Sequence, residues 1–170
     1  MVRQELITLE QEVLGGPIID NSLYHHLKEN VKERMFVVPE HKEIFKFISE
    51  MFEKGLEVSV TDILVYADKN TAQMGGTSYI AEIVSSTVNN VAYPQKIKFF
   101  VDEYRKRMIK ESYTRVINSN TVDEMIDITK KTLENVYKCE MTKELDTECI
   151  YNNYLIEIEN YNKSQGFKSN

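Results

Sequence analysis

Two apolar stripes on either side of a short polar turn constrain this chain most. Between Pro94 and Asn118, Ile97, Phe100, Val101, Tyr104 and Met108 recur at helical steps. After the turn Val122, Met125, Ile126, Leu133 and Val136 do the same. Spacings of three and four residues are the mark of an amphipathic helix. Between the stripes, Ser119-Asn120 supplies a tight turn, and Thr121 with Glu124 has the spacing of a capping box. In that motif the hydroxyl accepts a backbone N–H while the acid reaches back to the cap. Two long helices with so short a connection must run antiparallel, so residues 96 to 137 read as a helical hairpin.

The residues before it also read as helices. Thr8 and Gln11 have capping-box spacing, which starts a helix near Leu9 with Val13, Leu14, Ile18 and Ile19 on its stripe. Gly15-Gly16-Pro17 interrupts that stripe, and Pro17 is expected to kink or restart the helix because it has no N–H. Asn21 then favours a turn or a new cap. Glu40 to Lys54 carries Ile44, Phe45, Ile48, Met51 and Phe52, with Pro39 before it and Gly55 to stop it. A short alternating stretch follows, then Thr61 as cap for a helix with Ile63, Leu64 and Ala67, a Gly75-Gly76 loop, and the short apolar helix "SYIAEIVSS".

Beyond the hairpin, "KCEMTKELDTE" reads as a linker, and Ile150 to Tyr161 place Tyr151, Tyr154, Leu155 and Ile158 along one side of a last amphipathic helix. That stripe needs a partner in this domain or another subunit. The expected division is a globular helical subdomain over 1–95, the hairpin over 96–138, and a linker with terminal helix over 139–170.

Few chemistries fit these residues. The chain is 42% apolar with only three prolines, far from a disordered composition. Its net charge of −6 gives the whole molecule no reason to coat a nucleic acid. No apolar run is long enough to span a bilayer and the N-terminus lacks the core of a signal peptide, so a cytoplasmic protein with Cys139 and Cys149 as reduced thiols is expected. A phosphate loop of the G-x-x-x-x-G-K-[ST] type is missing, since neither glycine doublet is followed by the lysine. His25 and His26 are adjacent and so cannot face one point on a helix, and His41 is distant; all three read as surface or packing residues. Glu148, Glu157 and Glu159 interleave with apolar residues as a solvated face. No cofactor or metal is expected. Lys98, Arg105, Lys106, Arg107 and Lys110, with Tyr93, Phe99 and Tyr104 among them, are weak nucleic-acid candidates; the plainer reading is the polar face of one helix.

Several segments together carry a family resemblance. "LEQEVLGGPIIDN" is similar to the opening of the N-terminal domain of DnaB-type replicative helicases, whose pattern is E-x-x-V-L-G, any two residues, two apolar residues and Asp-Asn. "FVVPEHKEIFKFISEMFEKG", "VSVTDIL" and "MGGTSYIAEIVSSTVNNVAYPQKIKFFVDEYRKRMI" resemble later segments of that domain in the same order, covering roughly residues 9 to 137. The tail resembles the family's linker helix less closely. Gly15 matches the family's glycine in the first helix, and Pro17 departs from its pattern.

The resemblance implies an all-α fold: a compact orthogonal helical bundle with a protruding antiparallel hairpin and a C-terminal linker helix. It implies pairing of two such domains through the hairpin, three pairs forming a collar on a hexameric motor, and docking of primase or helicase loader. The hairpin residues given above are then the candidate dimer interface: Ile97, Phe100, Val101, Tyr104, Met108, Val122, Met125, Ile126, Leu133 and Val136. Tyr151, Tyr154, Leu155 and Ile158 are the candidate docking residues of the linker helix. ATP and magnesium belong to the family's motor domain, which has no counterpart in these residues, so a non-catalytic chain is expected, with DNA contact weak or indirect. A stand-alone phage or plasmid regulator of helicase or primase assembly is the alternative, and a DNA-binding accessory factor is a third.

Overall fold

In the computed structural model, which describes residues 4–87 and 92–139, the first helix continues through Pro17 to its end at Ile19. This helix, α1 (Gln4–Ile19), is followed by α2 (Tyr24–Asn30), α3 (Pro39–Glu53), α4 (Val60–Lys69), the single turn α5 (Thr71–Met74), α6 (Gly76–Ser86), α7 (Tyr93–Ile117) and α8 (Val122–Lys138). Short 3-10 turns at Asn21–Leu23 and Glu33–Met35 complete an all-α fold, with no strand among the described residues.

Pro17 leaves the carbonyl of Val13 without its helical donor. The Tyr93 hydroxyl, from the first turn of α7, donates to that carbonyl at 2.7 Å. Gly16 makes room for the ring: a Cβ there would lie 2.7 Å from Tyr93 Cδ2 and closer still to Cε2. Gly15 does the same for α6, since a Cβ on it would collide with Thr87 Oγ1 and lie 3.0 Å from the Ile83 carbonyl oxygen. The helix therefore does not restart at Pro17: a side chain from another helix replaces the missing N–H. The start expected near Leu9 is also displaced. Thr8 sits inside α1 with its hydroxyl donating to Gln4 O at 3.2 Å, and Gln11 donates to Glu82 instead of to a cap.

Asp20 caps the first 3-10 turn by accepting from Ser22 N–H. Asn21 serves tertiary structure: its amide donates to Val58 O at 3.0 Å and accepts from Val58 N–H at 2.8 Å, tying the end of α1 to the segment before α4. Pro39 is the first residue of α3, where its missing N–H costs nothing, and Gly55 follows that helix with φ of 72°. Residues 56–59 form no strand; they lead to Ser59, which caps α4 in place of the expected Thr61. Ser59 Oγ accepts from Asp62 N–H and the Asp62 carboxylate accepts from Ser59 N–H, a complete capping box. At Gly75-Gly76 the expected loop shrinks to Gly75 alone between α5 and α6, with both glycines at positive φ, 78° and 80°.

The core gathers Leu14 and Ile18 of α1, Leu27 of α2, Ile44 and Ile48 of α3, Ile63 of α4 and Ile80 and Ile83 of α6. It also takes the first turns of α7, where Tyr93, Ile97, Phe100 and Val101 are all buried. Each fully buried side chain of this size stabilises the fold by roughly 1.5–3 kcal/mol. Burial pushes the Tyr93 phenol well above the ordinary tyrosine range, so it stays a donor at neutral pH. The sign for stability follows: tyrosine 93 favours folding fully below pH ~10, where the unfolded phenol begins to ionise, and less as pH rises. Alkaline titration of unfolding free energy should fall above that point, with a shallower slope for Tyr93→Phe.

Candidate interaction face on the hairpin

The turn between α7 and α8 is built as its residues dictate. Thr121 Oγ1 accepts from Glu124 N–H at 3.2 Å, and the Glu124 carboxylate reaches back to Asn120 N–H at 3.2 Å, one residue before the cap. The helices then pack antiparallel.

The expected stripes divide into two populations. Ile97, Phe100 and Val101 are covered by the chain's own core, and Tyr104 and Met108 pack against that core partly buried. An interface expected on these five side chains is therefore narrowed: the first three have no surface left to offer. On α8, Ile128 and Val136 are buried and Met125 half-buried. Val122, Ile126 and Leu133 point outward, joined by Tyr137. The sequence pattern had merged two stripes that the helix keeps roughly 100° apart.

The outer stripe of α8 has a counterpart on α7 in Ile109, Tyr113 and Ile117. These seven side chains are each between 46% and 69% exposed. On both helices the exposed stripe is displaced from the packed one in the same rotational sense, and because the helices are antiparallel both displacements lead to one face of the hairpin. A contiguous apolar face of this kind on a water-exposed element marks an interaction surface.

The basic residues of α7 form no comparable patch. Arg105 pairs with Asp102 at 3.3 Å and Lys106 with Glu103 at 2.6 Å. Arg107 donates to Met35 O at 2.5 Å and lies over the Tyr104 ring, 5.5 Å from its centroid. Lys98 and Lys110 are exposed. Two of these five charges are paired with acids of the same helix and a third is held against the preceding part of the chain, which favours the plainer reading of a solvated face.

Sequence reasoning missed one buried polar cluster. Glu10 and His41 side chains are both 0% exposed and meet at 2.6 Å between Oε2 and Nδ1. A carboxylate only accepts, so Nδ1 carries the proton. Glu10 also accepts from Val37 N–H at 2.7 Å and Val38 N–H at 3.3 Å, and Tyr79 OH meets His41 Nε2 at 2.7 Å. The Tyr79 phenol is held above its usual range chiefly by burial. The cluster ties α1, α3 and α6 together. His41 thus packs in the core, as its reading from sequence allowed, while the His25 and His26 rings lie 3.8 Å apart near the surface, tilted by 40°.

Among the described residues no group of three or more His, Cys, Asp or Glu could hold a metal ion, and no helix is long and apolar enough to cross a membrane. Cys139 is a buried free thiol. Cys149, the three tail glutamates and the expected docking residues Tyr151, Tyr154, Leu155 and Ile158 lie outside the described residues.

Comparison with known proteins follows the same lines. A family model described as DnaB-like helicase N terminal domain matches residues 2–102. The replicative DNA helicase DnaB of Buchnera aphidicola subsp. Baizongia pistaciae is 24% identical over 111 residues, 64% of this chain and 23% of that protein. The same helicase of Rickettsia conorii is 24% identical over 115 residues, 66% of this chain and 23% of that protein. The chain spans about a quarter of the length of the curated relatives it matches. Among solved structures, the N-terminal domain of DnaB helicase from Mycobacterium tuberculosis superposes with a TM-score of 0.66 at 19% identity, covering 76% of this chain and 96% of that one. A DnaB-like replicative helicase, described with its interactions with primase, gives 0.62 at 20% identity, covering 88% of this chain and 36% of that one.

Proposed function

This chain belongs to the DnaB-like helicase N-terminal domain family, and we propose that it is a non-catalytic oligomerisation and docking domain of a replicative helicase. In this reading it pairs with a second copy through the hairpin, pairs assemble as a collar, and the collar receives primase or a helicase loader in the cytoplasm. ATP hydrolysis and strand separation belong to a motor domain that these residues do not include. The observation that carries the reading is the exposed apolar face formed by Ile109, Tyr113, Ile117, Val122, Ile126, Leu133 and Tyr137. Such a face is costly to leave in water and is satisfied by a copy of itself. Docking of primase rests on the likeness to the helicase described with that partner. The in-place pairing of Arg105, Lys106 and Arg107 weighs against the DNA-binding reading.

The test is solution mass by light scattering over a concentration series. The unaltered chain is expected as a dimer or larger even-numbered assembly. Ile126→Asp combined with Leu133→Asp should yield a monomer of unchanged helix content, because each association would now bury unpaired carboxylates. Met108→Asp should instead lower the melting temperature, since that side chain packs against the core. A chain that is monomeric at every concentration, or a double variant that still assembles, would sink the proposal.

A further inference from the structure

The exposed face of the hairpin begins where α8 ends. Tyr137, its last member, stands two residues before Cys139. Residues 140–150 then lead to the stripe Tyr151, Tyr154, Leu155 and Ile158. A linker of that length reaches at most about 40 Å, and the face runs about 22 Å from Tyr137 to Val122 at 1.5 Å per residue. Every part of the face is therefore within reach of the tail of the same chain.

The charges indicate where the stripe fits. At about 100° per residue, Glu157 and Glu159 flank it on opposite sides of a helix, and Ile150 to Tyr161 includes no lysine or arginine. The same wheel puts Lys110 of α7 and Lys130 of α8 on the two outer rims of the hairpin face. Both are exposed, and neither pairs with an acid among the described residues. They also lie nearly level. Ile117 and Val122 flank the turn, so Lys130 stands opposite Ile109, one residue from Lys110. A tail helix antiparallel to α8, with Tyr151 beside Tyr137, brings Ile158 level with Lys130 and sets a glutamate toward each lysine.

We propose that the segment from Ile150 to Tyr161 folds back as a helix onto the hairpin face of its own chain and so competes with a second copy for that face. The inference rests on the reading of this face as the pairing surface and adds its regulation. A segment tethered by a short linker acts at an effective concentration in the millimolar range, so weak contacts suffice to cover the face. Pairing needs two open faces, and its dissociation constant rises as the inverse square of the open fraction. A face covered roughly two-thirds of the time weakens pairing about ten-fold. Whatever holds the tail elsewhere therefore promotes assembly, and the unaltered chain pairs only as concentration rises.

The test compares the full chain with a full-chain variant carrying Tyr154→Ser and Leu155→Ser, and reads dissociation constants by sedimentation equilibrium. The variant should self-associate about ten-fold more tightly, since its stripe no longer covers the face. Equal affinities would overturn the competition. A variant that associates more weakly would show the tail bridging two copies, and would overturn it too. A second pair of substitutions, Glu157→Lys with Glu159→Lys, should tighten association by a few-fold at low salt and by less at high salt, where exposed charges are screened; no change at low salt would overturn the assigned register. Methyl NMR spectra of Ile126 and Leu133, recorded at a concentration where the chain is monomeric, read the covering directly. Their signals should differ between the unaltered chain and the serine variant, and identical spectra would overturn the fold-back. These spectra also separate the two ideas: if neither form associates at any concentration the pairing reading fails, while shifted methyl signals would still support the covered face.

Discussion

Replacing Glu10 with alanine should destabilise the domain by about 3–5 kcal/mol, since it leaves three donors without their acceptor. Against a typical total of about 5–15 kcal/mol that is enough to unfold much of the population near physiological temperature. The reason is the number of groups left behind. Val37 N–H, Val38 N–H and His41 Nδ1 all end on this carboxylate, and the side chains of Glu10 and His41 are fully buried. Each orphaned donor costs about 1–3 kcal/mol. Glu10→Gln should be milder, because the amide oxygen can still accept from Val37 N–H while the NH2 in place of Oε2 disturbs the contacts to Val38 N–H and His41. Urea unfolding of the three proteins measures this; an alanine variant within about 1 kcal/mol of the parent would show that the cluster is wetter or looser than its geometry implies.

Gly16→Val has the second large effect, with an expected loss of about 2–5 kcal/mol. Part is overpacking, because the new Cβ would enter the space of the Tyr93 ring. The rest comes from the hydroxyl, which a displaced ring can no longer bring to Val13 O, leaving a buried carbonyl with no donor at all. Tyr93→Phe isolates the second part, and should cost about 1–2 kcal/mol by the same accounting. Thermal unfolding of the two variants checks the division: a valine variant no worse than the phenylalanine one would mean that α1 and α7 can move apart at little cost.

The hairpin was legible because its cause is local. Helical periodicity, the Ser119-Asn120 turn and the Thr121 cap are all read within a few residues of where they act. Which of its apolar residues face inward was not legible. Val122, Met125 and Ile126 are near neighbours along α8, and only the position of α7 tells which of them is covered. Glu10 shows the same limit from the polar side. It sits among polar neighbours that look solvated, and its partners are 27 to 31 residues away in sequence. Pro17 was read correctly as removing a hydrogen bond, but the restart it allowed for does not occur, since the substitute donor comes from a residue 80 positions further on. Family resemblance supplied the collar and its partners; nothing in periodicity or charge would have suggested them.

The same long-range bond has a bearing on the order in which the parts of this protein take shape. On a ribosome, α1 emerges first with an unbroken buried run from Val13 to Ile18, yet its partners in α6 and α7 appear only some 70 to 80 residues later. The hairpin, by contrast, joins helices that are neighbours in the chain, and such local contacts form early and fast once both are made. Until α7 arrives, the proline helix lacks the donor that completes it and has its stickiest surface uncovered. The interval of synthesis between Pro17 and Tyr93 is therefore the time in which a nascent chain of this protein is most open to chaperones, and to mistakes.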